Sequence, residues 1–304
     1  MADPIVIFLT SGTSWQVPSD WNNDDNIIEC IGGGQAGENG NPSNRTGDGG
    51  RGGDYARIVN LTLTPGATVN YAVGAGGSSN GANGGDTWFN GTNASNASVV
   101  AKGGGSSTTS VGSLIRTGGS GGIHDAGKIS SVGGGGGGAG GPDGNGGDGG
   151  NGGDNGGGGG GANGGSDGGD QTGGAGNAGG GAGGDGGTTG SLTGKPGEPG
   201  NKWTQTSDSA TAGPGGGGGG GDGSSAGHGG AGGNYGGGGG GGGTQGTAIT
   251  NGGPGGSGII VITYTPKTGF SGIYLGDTQI NAIKLGSADI KAVYLGDKLI
   301  FESD

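Results

Sequence analysis

Short apolar runs alternate with polar punctuation through the first hundred residues. Residues 5–9, 14–17, 26–31, 55–63, 69–73 and 98–101 are rich in Ile, Val, Tyr and Trp and are bounded by Gly, Pro, Asn or Asp. That pattern predicts short β-strands, with Pro65-Gly66 as a turn between two of them. No segment repeats apolar residues at a period of 3.6 over two turns, so helix is not expected. The most strand-like run stands far away, at Ile259-Ile260-Val261-Ile262-Thr263-Tyr264. A continuous apolar run of that length needs cover on both faces. It is expected to close the sheet that the N-terminal strands begin.

The stretch between is dominated by glycine, in unbroken runs at 133–138, 156–161, 215–221 and 236–243. Fixing a backbone costs about 1–2 kcal/mol per residue, and glycine loses the most freedom. Such a stretch is either a flexible coil or an architecture that only glycine permits. Its position inside one β-domain favours order, because structureless loops of that length are rare in compact domains. Residues 146–154 repeat Gly-Gly-Xaa three times. Polyproline II geometry has three residues per turn, so Asp148, Asn151 and Asp154 fall on one edge and leave two edges bare. Parallel-packed neighbours can then satisfy the sideways N–H and C=O groups. Prolines are too few for a collagen triple helix, and a single-chain bundle of polyglycine II helices fits better. On this reading Asn151→Ala is nearly silent, whereas a Cβ on a bare edge, as in Gly150→Val or Gly153→Val, separates backbones that must approach closely.

A ten-residue repeat follows Pro266-Lys267-Thr268, with copies beginning at Ile273, Ile283 and Val293. Apolar residues recur at the third position (Leu275, Leu285, Leu295) and the eighth (Ile280, Ile290, Ile300), with Gly-Asp or Gly-Ser at the turn. This reads as strand, turn, strand, three times over. About thirty residues cannot bury that apolar surface alone, so these six positions are the expected oligomerisation or docking residues. The predicted organisation is all-β plus irregular structure. It comprises a β-sandwich at 1–102 closed by the strand 259–265, an inserted polyglycine II bundle at 103–258, and a C-terminal β-hairpin repeat module at 266–304.

Two sets of motifs resemble known proteins. Trp15-Gln16-Val17-Pro18, then Ile31-Gly32-Gly33-Gly34, then the closing glycine-to-Ile259 strand resemble the glycine-rich domain of tailed-phage tail proteins. The Tyr-Leu-Gly-Asp repeats resemble segments of phage tail and fibre proteins. The resemblance implies a virion structural protein of the tail fibre or tail tip. Its partners would be other tail proteins and a host surface receptor, protein or glycan, and a homo-oligomer, by preference a trimer, would be assembled in the host cytoplasm. Phage adhesins of this kind bind receptors through loops at the end of the bundle. Here larger side chains interrupt the glycine at Arg116, His124, Lys202, Trp203 and Tyr235, the candidate receptor-binding residues. Two alternatives stand beside this one. One is a purely architectural tail or capsid-decoration protein. The other is an ice-binding protein, although an ice face needs a flat row of Ala or Thr, and the interrupting residues here are mixed Asp, Asn and Ala.

Composition narrows the chemistry. Of 304 residues 100 are glycine, and the net charge of −12 argues against a nucleic-acid partner, which needs a basic footprint. Cys30 is the only cysteine, so no internal disulfide forms, and its apolar neighbours predict a core residue. With two histidines and one cysteine, the chain has too few neutral donors for a zinc site. Residues 122–128 approach a phosphate-binding loop, but Ile129 stands where a hydroxyl must reach magnesium. His124 beside Asp125 reads as a solvated pair. No carboxylate pair is singled out for hydrolysis, no cofactor is implied, and an enzyme is not expected. The N-terminus lacks a basic region and its apolar run is too short for a leader or a membrane span.

Overall fold

Residues 2–41, 47–125, 132–223, 226–245 and 248–267 are described by the computed structural model, with the backbone of further strands between 273 and 302. The strands along the chain are β1 (Ile5–Leu9), β2 (Ser14–Gln16), β3 (Asn26–Ile31), β4 (Tyr55–Val59), β5 (Thr68–Ala72), β6 (Thr87–Phe89) and β7 (Val99–Ala101). They continue with β8 (Leu114–Arg116), β9 (Trp203–Thr204), β10 (Thr211–Ala212) and β11 (Ile259–Tyr264). The helical content among the described residues is one 3₁₀ turn, Ala94–Asn96. The strand expected over 55–63 stops at Val59, because Asn60 turns the chain with a φ of 53°. Asn tolerates that left-handed conformation better than other side chains do.

Two antiparallel sheets face each other. One runs β1-β11-β3-β4-β8 and the other β2-β5-β6-β7. Ile28, Cys30, Ala56, Ile260, Ile262 and Tyr264 from the first sheet pack on Val69, Tyr71, Phe89, Val99 and Ala101 from the second. Trp15 and Val17 of the Trp-Gln-Val-Pro motif join this core, and Trp15 meets the Trp21 ring edge-on at 5.6 Å. Cys30 is fully buried there, and burial pushes its thiol far above the ordinary range, away from reactive thiolate. β11 lies inside the sheet, between β1 and β3. Its even-numbered residues face this core, while Ile259 and Val261 face a second apolar cluster on the other side.

Beyond the sandwich, several strands run on as glycine segments. β3 continues into residues 32–40, residues 47–54 lead into β4, and residues 252–258 lead into β11. The glycine network therefore begins well before residue 103: Gly33 donates to the Gly85 carbonyl, Gly34 to Gly256, and Gly50 to Gly239. The run 133–140 shows its order. The N–H groups of Gly133, Gly136 and Ala139 go to Gly221, Gly218 and Gly215. Those of Gly134, Gly137 and Gly140 go to Gly47, Gly50 and Gly53, and those of Gly135 and Gly138 to Gly150 and Gly147. Each neighbour is thus met at every third residue. The carbonyls of the same run accept from three more segments, through Gly157 and Gly160, Gly238 and Gly241, and Gly119 and Gly122. A Cβ at Gly135 would collide with the Gly158 carbonyl, and one at Gly137 with the Gly119 carbonyl. The neighbours stand too close for any side chain.

At the C-terminus the backbone forms three antiparallel pairs. β12 (Ile273–Leu275) pairs with β13 (Thr278–Ile280), β14 (Lys284–Leu285) with β15 (Ala288–Asp289), and β16 (Ala292–Leu295) with β17 (Lys298–Glu302).

Candidate binding surface

Directly paired residues of an antiparallel sheet point to the same face. On the outer face of the five-stranded sheet the registers align Phe8, Val261, Glu29, Arg57 and Leu114 in one row across the strands. The next row is Ile259, Ile31, Tyr55 and Arg116. This face carries the second apolar cluster. Ile31, Tyr55, Ile259 and Val261 pack with Ala139, Ala162 and Ala212 from the glycine-rich region, and Leu114, Trp203 and Tyr235 lie partly buried against them.

The hairpin of β9 and β10 straps this face to the sheet edge. Thr206 N–H donates to the Val6 carbonyl at 3.1 Å, and its Oγ1 accepts from Val6 N–H at 2.7 Å. Gln205 Oε1 accepts from Phe8 N–H at 3.0 Å. Side chains thus stand in for the missing neighbour of an edge strand. A cavity of about 330 Å³ remains between strap and strand, lined by Ile5, Val6, Ile7, Phe8 and residues 205–207.

Charge is concentrated in the middle of the face. Glu29 is 7% exposed and accepts a hydrogen bond from the Tyr55 hydroxyl at 2.6 Å. Burial raises its carboxyl above the ordinary value, opposed by the Tyr55 hydrogen bond, Arg57, Trp203 and Lys202. The Tyr55 hydroxyl is pushed up in turn, first by burial and then by the Glu29 charge. Lys202 Nζ pairs with Asp143 Oδ2 at 2.7 Å, and Asn163 Nδ2 donates to the same oxygen at 2.8 Å. The Lys202 hydrogen bond holds the Asp143 carboxyl below its usual range, against a smaller effect of burial. The Nε atoms of Arg57 and Arg116 are buried with no hydrogen-bond partner among the described residues. An unmet buried donor costs about 1–3 kcal/mol.

Four of the five residues singled out in the sequence therefore meet on one face: Arg116, Lys202, Trp203 and Tyr235. They sit where the glycine runs adjoin the sheet, at the Ala139 end of the run 133–140, because Thr117 N–H is bonded to Asn145 and Tyr235 N–H to Gly213. His124 lies at the opposite end, one step past the bond from Gly122 to Gly135. Its partner is Asp48 rather than the adjacent Asp125: Asp48 Oδ1 is 2.6 Å from Nδ1 and also accepts the His124 backbone N–H at 2.9 Å. Two isoleucines are strongly exposed at that end, Ile123 at 60% and Ile249 at 65%. Neither Arg57 nor Glu29 was singled out in the sequence, since each reads as the polar member of an alternating strand. Only the sheet register brings them to the face against which Trp203 packs.

Of the six repeat positions, Leu275, Ile280, Leu285 and Leu295 lie in paired strands, and Ile290 lies outside the described residues, as do Lys128 and Ile129. Ile300 falls at a bulge, between the pairs Tyr294–Leu299 and Val293–Phe301. Among the described residues no three His, Cys, Asp or Glu are placed to hold a metal, and no helix is long and apolar enough to cross a membrane. No protein-family model and no curated sequence matches this chain.

Proposed function

We propose that this chain is a non-enzymatic structural protein of a tailed-phage virion, at the tail tip or in a fibre, and that it binds the bacterial surface. The observation that carries the binding role is the convergence of Arg116, Lys202, Trp203 and Tyr235, distant in sequence, on one half-exposed face. Aromatic and arginine side chains gathered around a buried centre are the usual energetic anchors of recognition surfaces. The virion role rests on the resemblance of the motifs at both ends of the chain.

The glycine-rich region is read as a polyglycine II bundle. Support comes from hydrogen-bond partners that recur at every third residue, the period of a helix with three residues per turn. It comes also from six neighbouring segments around the run 133–140, each too close for a side chain. Such a bundle is a stiff backbone lattice that holds its edge residues in fixed places. The C-terminal strand pairs are read as a three-copy assembly module that docks on symmetry copies or on another tail protein.

Binding of the labelled full-length chain to a panel of bacterial strains tests the reading. Trp203→Ala and Tyr235→Ala are expected to weaken binding at least tenfold, while Ile123→Asp and Ile249→Asp leave it intact. The reverse pattern moves the contact to the far end of the bundle. Binding to no strain, with the protein present in purified virions by mass spectrometry, leaves a purely architectural role.

A further inference from the structure

The chain as a whole repels anions, with 24 acidic residues against 12 basic ones. The outer sheet face departs from that balance. Arg57 is paired with Leu114, and Arg116 with Tyr55, so the two arginines occupy diagonal positions on adjacent strands. Diagonal neighbours across a sheet are about 7–8 Å apart, within reach of long side chains. Two guanidinium groups so placed can close on one planar carboxylate, the shape their fork of N–H donors matches.

The surrounding groups leave that charge available. Lys202 is already neutralised by Asp143 at 2.7 Å. Glu29, the register neighbour of Arg57, is engaged by the Tyr55 hydroxyl at 2.6 Å. The Nε of each arginine lacks an acceptor among the described residues. Trp203 completes the arrangement. It packs against the cluster of Ile31, Tyr55, Ile259 and Val261, the residues that share these two rows of the sheet with Arg57 and Arg116. The ring is only partly buried, and an indole offers a large flat apolar surface to one side of a polar ligand.

We propose that this face is a subsite for a carboxylate-bearing sugar, its carboxylate held between Arg57 and Arg116 and its ring laid against Trp203. Its place as a receptor contact rests on the surface-binding reading above, whereas its chemistry does not. A free polyanion such as nucleic acid does not fit, because the chain carries a net charge of −12 and would repel a long anionic strand beyond this face.

Calorimetric titration of the full-length chain with hexagalacturonate tests the site, with neutral cellohexaose as the control. Saturable binding of the acidic sugar and none of the neutral one is expected. Arg116→Gln, Arg57→Gln and Trp203→Ala should each weaken it at least tenfold. Arg116→Lys should recover only part, since an ammonium lacks the fork. Arg51→Gln removes an exposed arginine of the glycine lattice and should change nothing. Variants are compared at unchanged melting temperature, and if Arg57→Gln fails to fold, Arg116→Gln on the edge strand carries the test. Equal binding of cellohexaose, no loss in Arg116→Gln, or stronger binding of dextran sulfate than of hexagalacturonate overturns the assignment. A chain that binds hexagalacturonate but no cells keeps this subsite and loses the adhesive role. A chain whose Arg116→Gln variant still binds cells, and which ignores hexagalacturonate, loses the subsite alone.

Discussion

Asp148 Oδ1 accepts a hydrogen bond from the backbone N–H of Ser120 at 2.6 Å. The same relation recurs three residues to either side, from Thr117 to Asn145 at 3.1 Å and from Ile123 to Asn151 at 2.8 Å. Each of these three N–H groups is bonded to a side chain in place of a backbone carbonyl, with Asn or Asp on the adjacent segment supplying the acceptor. Asn151→Ala, nearly silent on the sequence pattern alone, is therefore expected to cost stability. It should raise hydrogen exchange at the Ile123 amide, with a stability loss of about 0.5–1.5 kcal/mol. Unchanged exchange at Ile123 would show that water replaces the side chain at no cost.

Glycine inside the lattice is expected to be intolerant of the smallest substitution. A Cβ at Gly150 would run into the Gly169 carbonyl, whereas one at Gly190 would meet nothing within 4 Å. Gly150→Ala should cost about 1–3 kcal/mol, the usual range for overpacking, and Gly190→Ala almost nothing. Equal melting temperatures for the two variants would mean that the segments around Gly150 are not close-packed.

The Glu29 carboxyl is raised in the folded protein above its ordinary value of 4.5. A raised group binds its proton more tightly when folded, so its contribution to stability is complete below 4.5 and disappears as the pH climbs through the folded value. Glu29→Gln keeps an acceptor for Tyr55 and removes the titration. Denaturant midpoints from pH 4 to pH 8 should fall more for the native protein than for this variant. Parallel curves would place the charge of Glu29 in water.

β11 is a central strand and not an addition to an already complete sheet. A fragment ending at Ala101 loses what is, among the described residues, the only strand paired with β1 and one of the two paired with β3. Such a fragment should aggregate or melt without cooperativity, because hydrophobic edges are left open. Circular dichroism against temperature reads the outcome, and a soluble fragment with a sharp transition would remove β11 from the essential core.

Assembly through the C-terminal strand pairs is tested by sedimentation of the whole chain against one ending at Lys267. The whole chain should run as the larger oligomer, a trimer by preference, and Leu285→Asp should behave like the truncation. Burial of one Leu is worth about 1.5–3 kcal/mol, so a few such side chains per copy suffice. The same mass for both proteins would take the assembly role away from these strands.

Strands with several apolar residues were legible in the sequence. Residues 5–9, 26–31 and 259–264 appear with the bounds their composition suggests. β6 and β8 were not, since each is a three-residue segment set in polar or glycine-rich surroundings whose strand character comes from the strands it pairs with. Arg116 read as part of a loop for this reason, yet it sits on the sheet edge beside Tyr55. Trp203 and Tyr235 stood out against the glycine around them, but nothing local says which way a ring turns. The apolar face of a sheet built mostly of other segments decides that. His124 was paired with its sequence neighbour because Asp48 becomes adjacent only once the lattice forms.

The three-residue recurrence of partners has a consequence for how such a chain changes length. Gly133, Gly136 and Ala139 meet one neighbour, and the residues between them meet two others, in a fixed cycle. Inserting one Gly-Gly-Xaa triplet into each adjoining segment would return every N–H to the same phase of the cycle, leaving both sheets and the outer face beside Trp203 untouched. On the polyglycine II reading proposed above, the glycine-rich region would grow by one helical turn, about 9 Å at the rise of that geometry. An insertion of one or two residues would rotate every later donor toward the wrong neighbour. Reach can therefore be adjusted in steps of three residues, independently of the surface that the sheet end presents.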